Sequence, residues 1–239
     1  MLQKLLSHVR KAVTDYNMIQ KGDKIAVGVS GGKDSLALLC CLKALQRFYP
    51  ENFDIVAITL SLGFDDYNPK PLLDFYNSMN VDYHIEDTFI GRVVFDTRRE
   101  KNPCSLCSNM KRGAIYNAAK GLGCNKVAFG HHKDDVIETL LLSLFYEGRV
   151  STFSPVTYLD RRDITLIRPF IYTEEKSITS FIRKEGITPI PSGCKVDGET
   201  KRQYVKSLIG NLMQENRHIK DNLFGAIQRS GMNGWHPQL

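Results

Sequence analysis

A short β-branched run at residues 24–29 (KIAVGV) passes through Ser30, Gly31, Gly32, Lys33, Asp34 and Ser35 into a Leu- and Ala-rich stretch at 34–48. A buried strand that turns on two glycines straight into a helix constrains the rest of the fold. The chain must cross over and pair in parallel, because a tight hairpin is no longer available. The remainder of the sequence keeps that rhythm. Strands are predicted at 53–60, 81–85, 126–130 and 163–167, alternating with helices at 71–79, 105–121, 134–146 and 174–184, the last with Thr173 as its cap. Strands that alternate with helices imply an α/β fold, a doubly wound and mainly parallel sheet. Ahead of it, Leu2, Leu5, Leu6, Val9 and Val13 recur at helical steps over residues 1–22. Behind it lie a Pro/Gly-rich loop and helices near 200–216 and 221–229. The expected layout is an N-terminal amphipathic helix (1–22), a core domain (23–185) and a C-terminal loop-and-helix part (186–239) of the same unit. The 239 residues fit this, since domains run to roughly 150 residues.

Open parallel sheets bind ligands at strand C-termini, and a helix N-terminus there favours a phosphate. Gly31 and Gly32 let backbone approach an anion, Ser30 and Ser35 add hydroxyls, and Lys33 adds charge. A Walker A loop would need Gly at 27 and Ser or Thr at 34, where the chain has Val27 and Asp34; G-x-G-x-x-G is also absent. S-G-G-K-D-S after a first strand resembles the pyrophosphate loop of N-type ATP pyrophosphatases. The resemblance implies an adenine-nucleotide α-hydrolase-like, Rossmann-like fold, with ATP cut between its α and β phosphates. Members adenylylate a carbonyl oxygen and a nucleophile then displaces AMP. A second motif, F-G-H-H-K-D-D-V-I-E-T, spans 129–139. Asp134 and Asp135 are hard oxygen donors suited to Mg²⁺; an isolated acidic pair would simply be favourable helix N-terminal charge. With the loop ahead of them, Gly130, His131 and Asp134 are expected to bind ATP. The resemblance places Ser61 and Gly63 at the adenosine.

The longest apolar run, residues 35–45, is broken by Lys43 and is too short to span a bilayer. With no secretory pattern, a cytoplasmic location is expected, where paired cysteines are more often ligands or redox groups than disulfides. Of six cysteines, Cys40 and Cys41 lie inside a Leu-rich helix and Cys124 has no partner at ligand spacing, so all three read as packing. Cys104 and Cys107 form P-C-S-L-C before a helix, a pattern open to half a zinc site, a redox dithiol or part of an iron–sulfur site. Cys194 stands in a loop, where packing explains it less well.

Taken in order over about residues 20–205, S-G-G-K-D-S, N-P-C-S-L-C-S-N-M-K-R-G, F-G-H-H-K-D-D-x-x-E-T and L-I-R-P-F resemble the tRNA 2-thiocytidine synthetase (TtcA-type) family. That resemblance implies a [4Fe–4S] cluster on Cys104, Cys107 and Cys194, with one iron open for hydrosulfide. It implies Lys111 and Asp135 as catalytic residues, Mg²⁺ on Asp134 and Asp135, and ATP on Ser30, Gly31, Gly32, Lys33, Asp34 and Ser35. Many family members carry a second C-x-x-C near the C-terminus; here Cys194 stands alone, followed by Lys195. The net charge is only +6, but basic residues flank the cysteines. Arg98, Arg99, Lys195, Lys201 and Arg202 are the expected RNA contacts, and a single-stranded anticodon-loop base suits such chemistry. Expected partners are tRNA, a sulfur donor such as a cysteine desulfurase, and a second copy in a homodimer; no membrane is expected. Three rivals are a 2-thiouridine-forming thiolase, a lysidine-type ligase, which would not need the three cysteines, and a non-catalytic metal-binding RNA protein, which would not need Lys33 or the aspartates.

Overall fold

The computed structural model describes residues 1–64, 67–98, 103–190 and 201–236. Strands β1 (Lys24–Gly28), β2 (Asp54–Ser61), β3 (Asp82–Asp87), β4 (Lys126–Ala128), β5 (Val156–Leu159) and β6 (Ile164–Ile167) form one sheet in the order β3-β2-β1-β4-β6-β5. All pairings are parallel except that of β5 with β6. β1 is buried from Ile25 onward, as a central strand covered on both faces must be. Alternation sorts its side chains: Ile25 and Val27 enter one core, Ala26 the other.

The first face carries α1 (Leu2–Asp15), α2 (Lys33–Leu45), α3 (Lys70–Met79) and α7 (Glu175–Lys184), with α6 (Lys133–Glu147), α8 (Lys201–Glu215) and α9 (Ile219–Ser230) beside them. α5 (Pro103–Gly121) covers the second face, packing Tyr116 and Ala119 on Ala26, Val56, Ile58 and Val127. A one-turn α4 (Ile90–Arg92) runs into a π-helical stretch, Val93–Arg98, that the periodicity did not suggest. α1 buries Leu5, Leu6, Val9, Ala12 and Val13 in the main core, so the amphipathic N-terminus is part of the fold rather than an appendage.

β4 stops at Ala128, shorter than the expected 126–130, and beyond it the Phe129 N–H still donates to the Ile167 carbonyl (3.1 Å). β5 was not expected from the sequence: it is a short, half-exposed edge strand. Thr173 does not cap α7. The N-cap is Glu174 with no side-chain bond, and the orphan Glu175 N–H donates instead to Asp134 Oδ2 (2.7 Å), from another helix. No helix among the described residues is long and apolar enough to cross a membrane.

Candidate functional site

The chain leaves β1 toward β2 on one side and reaches β4 on the other, so the crevice between the ends of β1 and β4 is the switch point of the sheet. Both predicted motifs sit there. In the loop, Ser35 Oγ donates to the Gly32 carbonyl (2.9 Å) and accepts from Ser30 N–H (3.2 Å). Gly32 caps α2 without a side-chain bond, and the first-turn amides have no intrahelical acceptor. Gly31 has φ +85°, and a Cβ there would lie 2.9 Å from the Ile190 carbonyl, whose own N–H binds Gly31 O (2.9 Å). Gly130 is needed for a different reason: a Cβ on it would press within 3.0 Å of the Asp34 backbone. The two motifs touch through glycine.

α6 opens on a reciprocal cap. His132 Nδ1 accepts from Asp135 N–H (3.3 Å), and Asp135 Oδ2 accepts from His132 N–H (3.0 Å). Asp135 Oδ1 takes Arg202 (3.2 Å), whose guanidinium also reaches Glu138 (2.9 Å). Asp134 binds across to the starts of α7 and α9. Lys220 binds its Oδ1 at 2.5 Å and the Glu175 amide its Oδ2. Burial pushes its carboxyl up, but Lys220 and that amide outweigh it and leave the pKa below the usual range. Each oxygen of Asp134, one of the two expected Mg²⁺ ligands, thus already has a donor in this structure. Asp34 is different: Oδ2 meets Lys33 (3.1 Å), while Oδ1 is buried with no hydrogen-bond partner, 3.9 Å from His132 Nε2. Among the described residues, Asp34 is the aspartate at the loop with an oxygen that has no hydrogen-bond partner. His131 lies between Phe129 and Phe153; burial, then Arg168, push its pKa down to about 4, so it is neutral at pH 7.

Cys104 and Cys107 stand one turn apart in the first turns of α5, Cys104 exposed and Cys107 buried against Leu62, Ile90 and Val94. Lys111 follows at i+4 on the same face. Leu62 belongs to the turn after β2: Ser61 O accepts from Thr88, Gly91 N–H donates to Leu62 O (2.8 Å), and Gly63 O accepts from Arg92 (3.2 Å). Cys107 thus packs on the expected adenosine turn, at the same strand-end edge as the loop, with Cys104 exposed one turn before it. Burial pushes the Cys40 thiol up to about 12 and raises Cys41 and Cys124 as well, as suits packing residues rather than thiolate ligands. Cys194, Arg99 and Lys195, and the side chain of Arg98, lie outside the described residues. Ile190, tied to Gly31, is the last described residue before Cys194.

A PP-loop domain family matches residues 1–211. The tRNA-cytidine(32) 2-sulfurtransferase of Pelobacter propionicus is 40% identical over 95% of this chain and 86% of its own length. That of Geobacter sulfurreducens is 36% identical over 94% and 89%.

This chain belongs to the tRNA-cytidine(32) 2-sulfurtransferase family of PP-loop proteins.

Among solved structures, the U34-tRNA thiolase NcsA from Methanococcus maripaludis with its [4Fe-4S] cluster superposes with a TM-score of 0.77 at 22% identity, covering 95% of this chain and 77% of that one. The NH₃-dependent NAD synthetase from Campylobacter jejuni gives 0.54 at 15%, covering 100% and 99%. At these identities they share the fold.

Within this 2-sulfurtransferase-family chain the sequence pattern missed three participants. Glu175 reads as an ordinary acidic residue at a helix start, and Lys206 and Lys220 as solvated helix lysines. Only the fold brings them to the motifs: Lys33 Nζ lies 3.1 Å from Glu175 Oε1, and Lys206 Nζ 2.6 Å from Glu175 Oε2. Of the expected RNA contacts, Arg202 is paired to α6 and Lys201 lies over the Tyr146 ring (4.4 Å).

Proposed function

We propose that this protein replaces the C2 oxygen of a tRNA cytidine with sulfur, consuming ATP and releasing pyrophosphate and AMP. The observation that carries this is the meeting of two chemistries on one strand-end edge: the Ser30–Lys33–Ser35 loop, and the Cys104/Cys107 turn packed on Leu62. The loop amides of α2 and the Lys33 ammonium hold the pyrophosphate as the base oxygen attacks the α-phosphorus. Asp34 Oδ1 is the oxygen that would hold Mg²⁺, in place of Asp134. Ser61 and Gly63 border the adenosine, with Gly130 and His131 opposite.

Cys104 and Cys107, spaced one turn apart at a helix N-terminus with Cys107 shielded by apolar side chains, fit a [4Fe–4S] cluster completed by Cys194. When bound, the cluster supplies an open iron for the sulfur that displaces AMP. Lys111 faces the same space and can donate a proton or offset charge as AMP departs. Asp135 orders the α6 start through His132. Arg98, Arg99, Lys195 and Lys201 are the candidate phosphate contacts for tRNA, and a cytoplasmic sulfur donor such as a cysteine desulfurase and a homodimer complete the reading. A lysidine-type ligase would leave the three cysteines without a use.

The test is oxygen-free purification with metal analysis, then nucleoside analysis of tRNA incubated with ATP and sulfide. We expect about four irons per chain, lost in Cys104→Ala and Cys194→Ala, and 2-thiocytidine in the tRNA. One equivalent of zinc, or iron retained in both variants, would sink the cluster site; 2-thiouridine instead of 2-thiocytidine would sink the base assignment.

A further inference from the structure

The N-terminal turns of five helices converge at the loop. They bring three cations and two carboxylates together: Lys33 of α2, Asp134 of α6, Glu175 of α7, Lys206 of α8 and Lys220 of α9. Glu175 is at the centre. Its Oε1 meets Lys33 (3.1 Å), its Oε2 meets Lys206 (2.6 Å), and its amide is anchored on Asp134 (2.7 Å), which Lys220 holds in turn (2.5 Å). Each oxygen of the carboxylate thus has its own cation, and the backbone beneath it is fixed by a third contact. Such a carboxylate is poorly free to follow a departing partner.

Lys33 has two anionic neighbours, Glu175 and Asp34, both at 3.1 Å. Asp34 is the carboxylate whose Oδ1 is buried and unpartnered beside the loop. Without Glu175, the ammonium has Asp34 as its one remaining anionic neighbour among the described residues. It would then settle onto the oxygen that the loop keeps for a cation, and the same ammonium would be withdrawn from incoming phosphates.

We propose that Glu175 is a positioning residue: clamped by Lys206, its carboxylate shares Lys33 with Oδ2 of Asp34 and keeps the ammonium from moving onto Oδ1, leaving that oxygen for the divalent cation and the ammonium for the nucleotide. The proposal rests on the loop being the ATP site. Glu175 touches no reacting atom and acts only through Lys33. Its carboxyl is shielded by burial, which would raise its pKa, yet Lys206 and Lys33 hold it down to about 2, so the clamp stays charged across the working pH range.

The test is binding, independent of any cluster: affinity for a non-hydrolysable α,β-methylene ATP analogue, titrated against Mg²⁺. Glu175→Gln keeps the shape and removes the charge. We expect the Mg²⁺ concentration for half-maximal binding to rise about tenfold, the size of one charge-assisted contact. Lys206→Met, which frees the far oxygen, should shift it the same way by about threefold, and Glu175→Asp should recover part of the loss. In a Lys33→Ala background, Glu175→Gln should add less than about twofold, because the two act as one unit. Additive effects of Lys33→Ala and Glu175→Gln, or an unchanged Mg²⁺ requirement in both Glu175→Gln and Lys206→Met, would overturn the proposal. If Glu175→Gln fails to fold, Lys206→Met decides alone. A Lys33→Ala protein that binds the analogue as wild type does would instead remove the ATP-loop reading beneath it.

Discussion

Asp134 shows how a residue's environment can redirect its chemistry. By type and position it is an expected magnesium ligand; in this structure it accepts the Glu175 amide at the start of α7 and neutralises Lys220. Removing it would leave the Lys220 ammonium, with a side chain only 29% exposed, unpaired and the Glu175 amide unsatisfied. Asp134→Ala is therefore expected to lose about 2–4 kcal/mol of stability in urea unfolding, without ATP or Mg²⁺ in the buffer. A variant as stable as wild type that merely needs more Mg²⁺ would return Asp134 to the ligand role. Asp34, in the first turn of α2, is the opposite case: a residue expected only to bind nucleotide holds the free oxygen.

At the scale of elements, the loop and the segment after α7 are built together. Gly31 and Ile190 share a backbone hydrogen bond, and Gly31 adopts a left-handed φ directly beneath the Ile190 carbonyl. Gly31→Ala is expected to cost about 1–3 kcal/mol and to weaken nucleotide binding at the same time. Gly32→Ala should be much milder in stability, because its Cβ would meet nothing nearer than Ser30 Oγ at 3.4 Å. Thermal unfolding with and without the nucleotide analogue separates the two. Equal effects would show that the close approach at Gly31 is not what the glycine serves.

Elements also mark how far a sequence can be read. α1, α2, α5 and α6 were legible because their apolar spacing and flanking turn residues are local. β5 was not, because a half-exposed edge strand is stabilised by pairing with β6 rather than by its own composition. The cap of α7 failed for the same reason: Thr173 is the nearest suitable side chain, but the bond comes from Asp134, 41 positions away.

For the molecule as a whole, the N- and C-terminal parts close on each other. Trp235 is fully buried, edge-on to Tyr16 of the segment after α1 (6.0 Å) and to Phe224 of α9 (5.3 Å), and its indole N–H donates to Phe153 O (3.0 Å). Phe153 is the ring against which His131 and Arg168 pack. Trp235→Ala is expected to cost about 3–5 kcal/mol and to lower one single unfolding transition, followed by calorimetry. A separate low-temperature transition would show that α9 and the tail melt alone, and that residues 186–239 are not one unit with the core.

The sequence by itself determined the α/β class, the position of the loop after β1 and the second motif after β4. Periodicity, turn residues and motif spacing are local properties, and the chemistry of thiols and glycines travels with the residue. Only the tertiary structure decided which charges meet. Asp134 meets the Glu175 amide and Lys220, Asp34 keeps one oxygen without a hydrogen-bond partner among the described residues, and Arg202 sits on α6. Ion pairs and orphan amides are satisfied across long sequence separations, by whichever helix N-terminus the sheet order brings within about 3 Å.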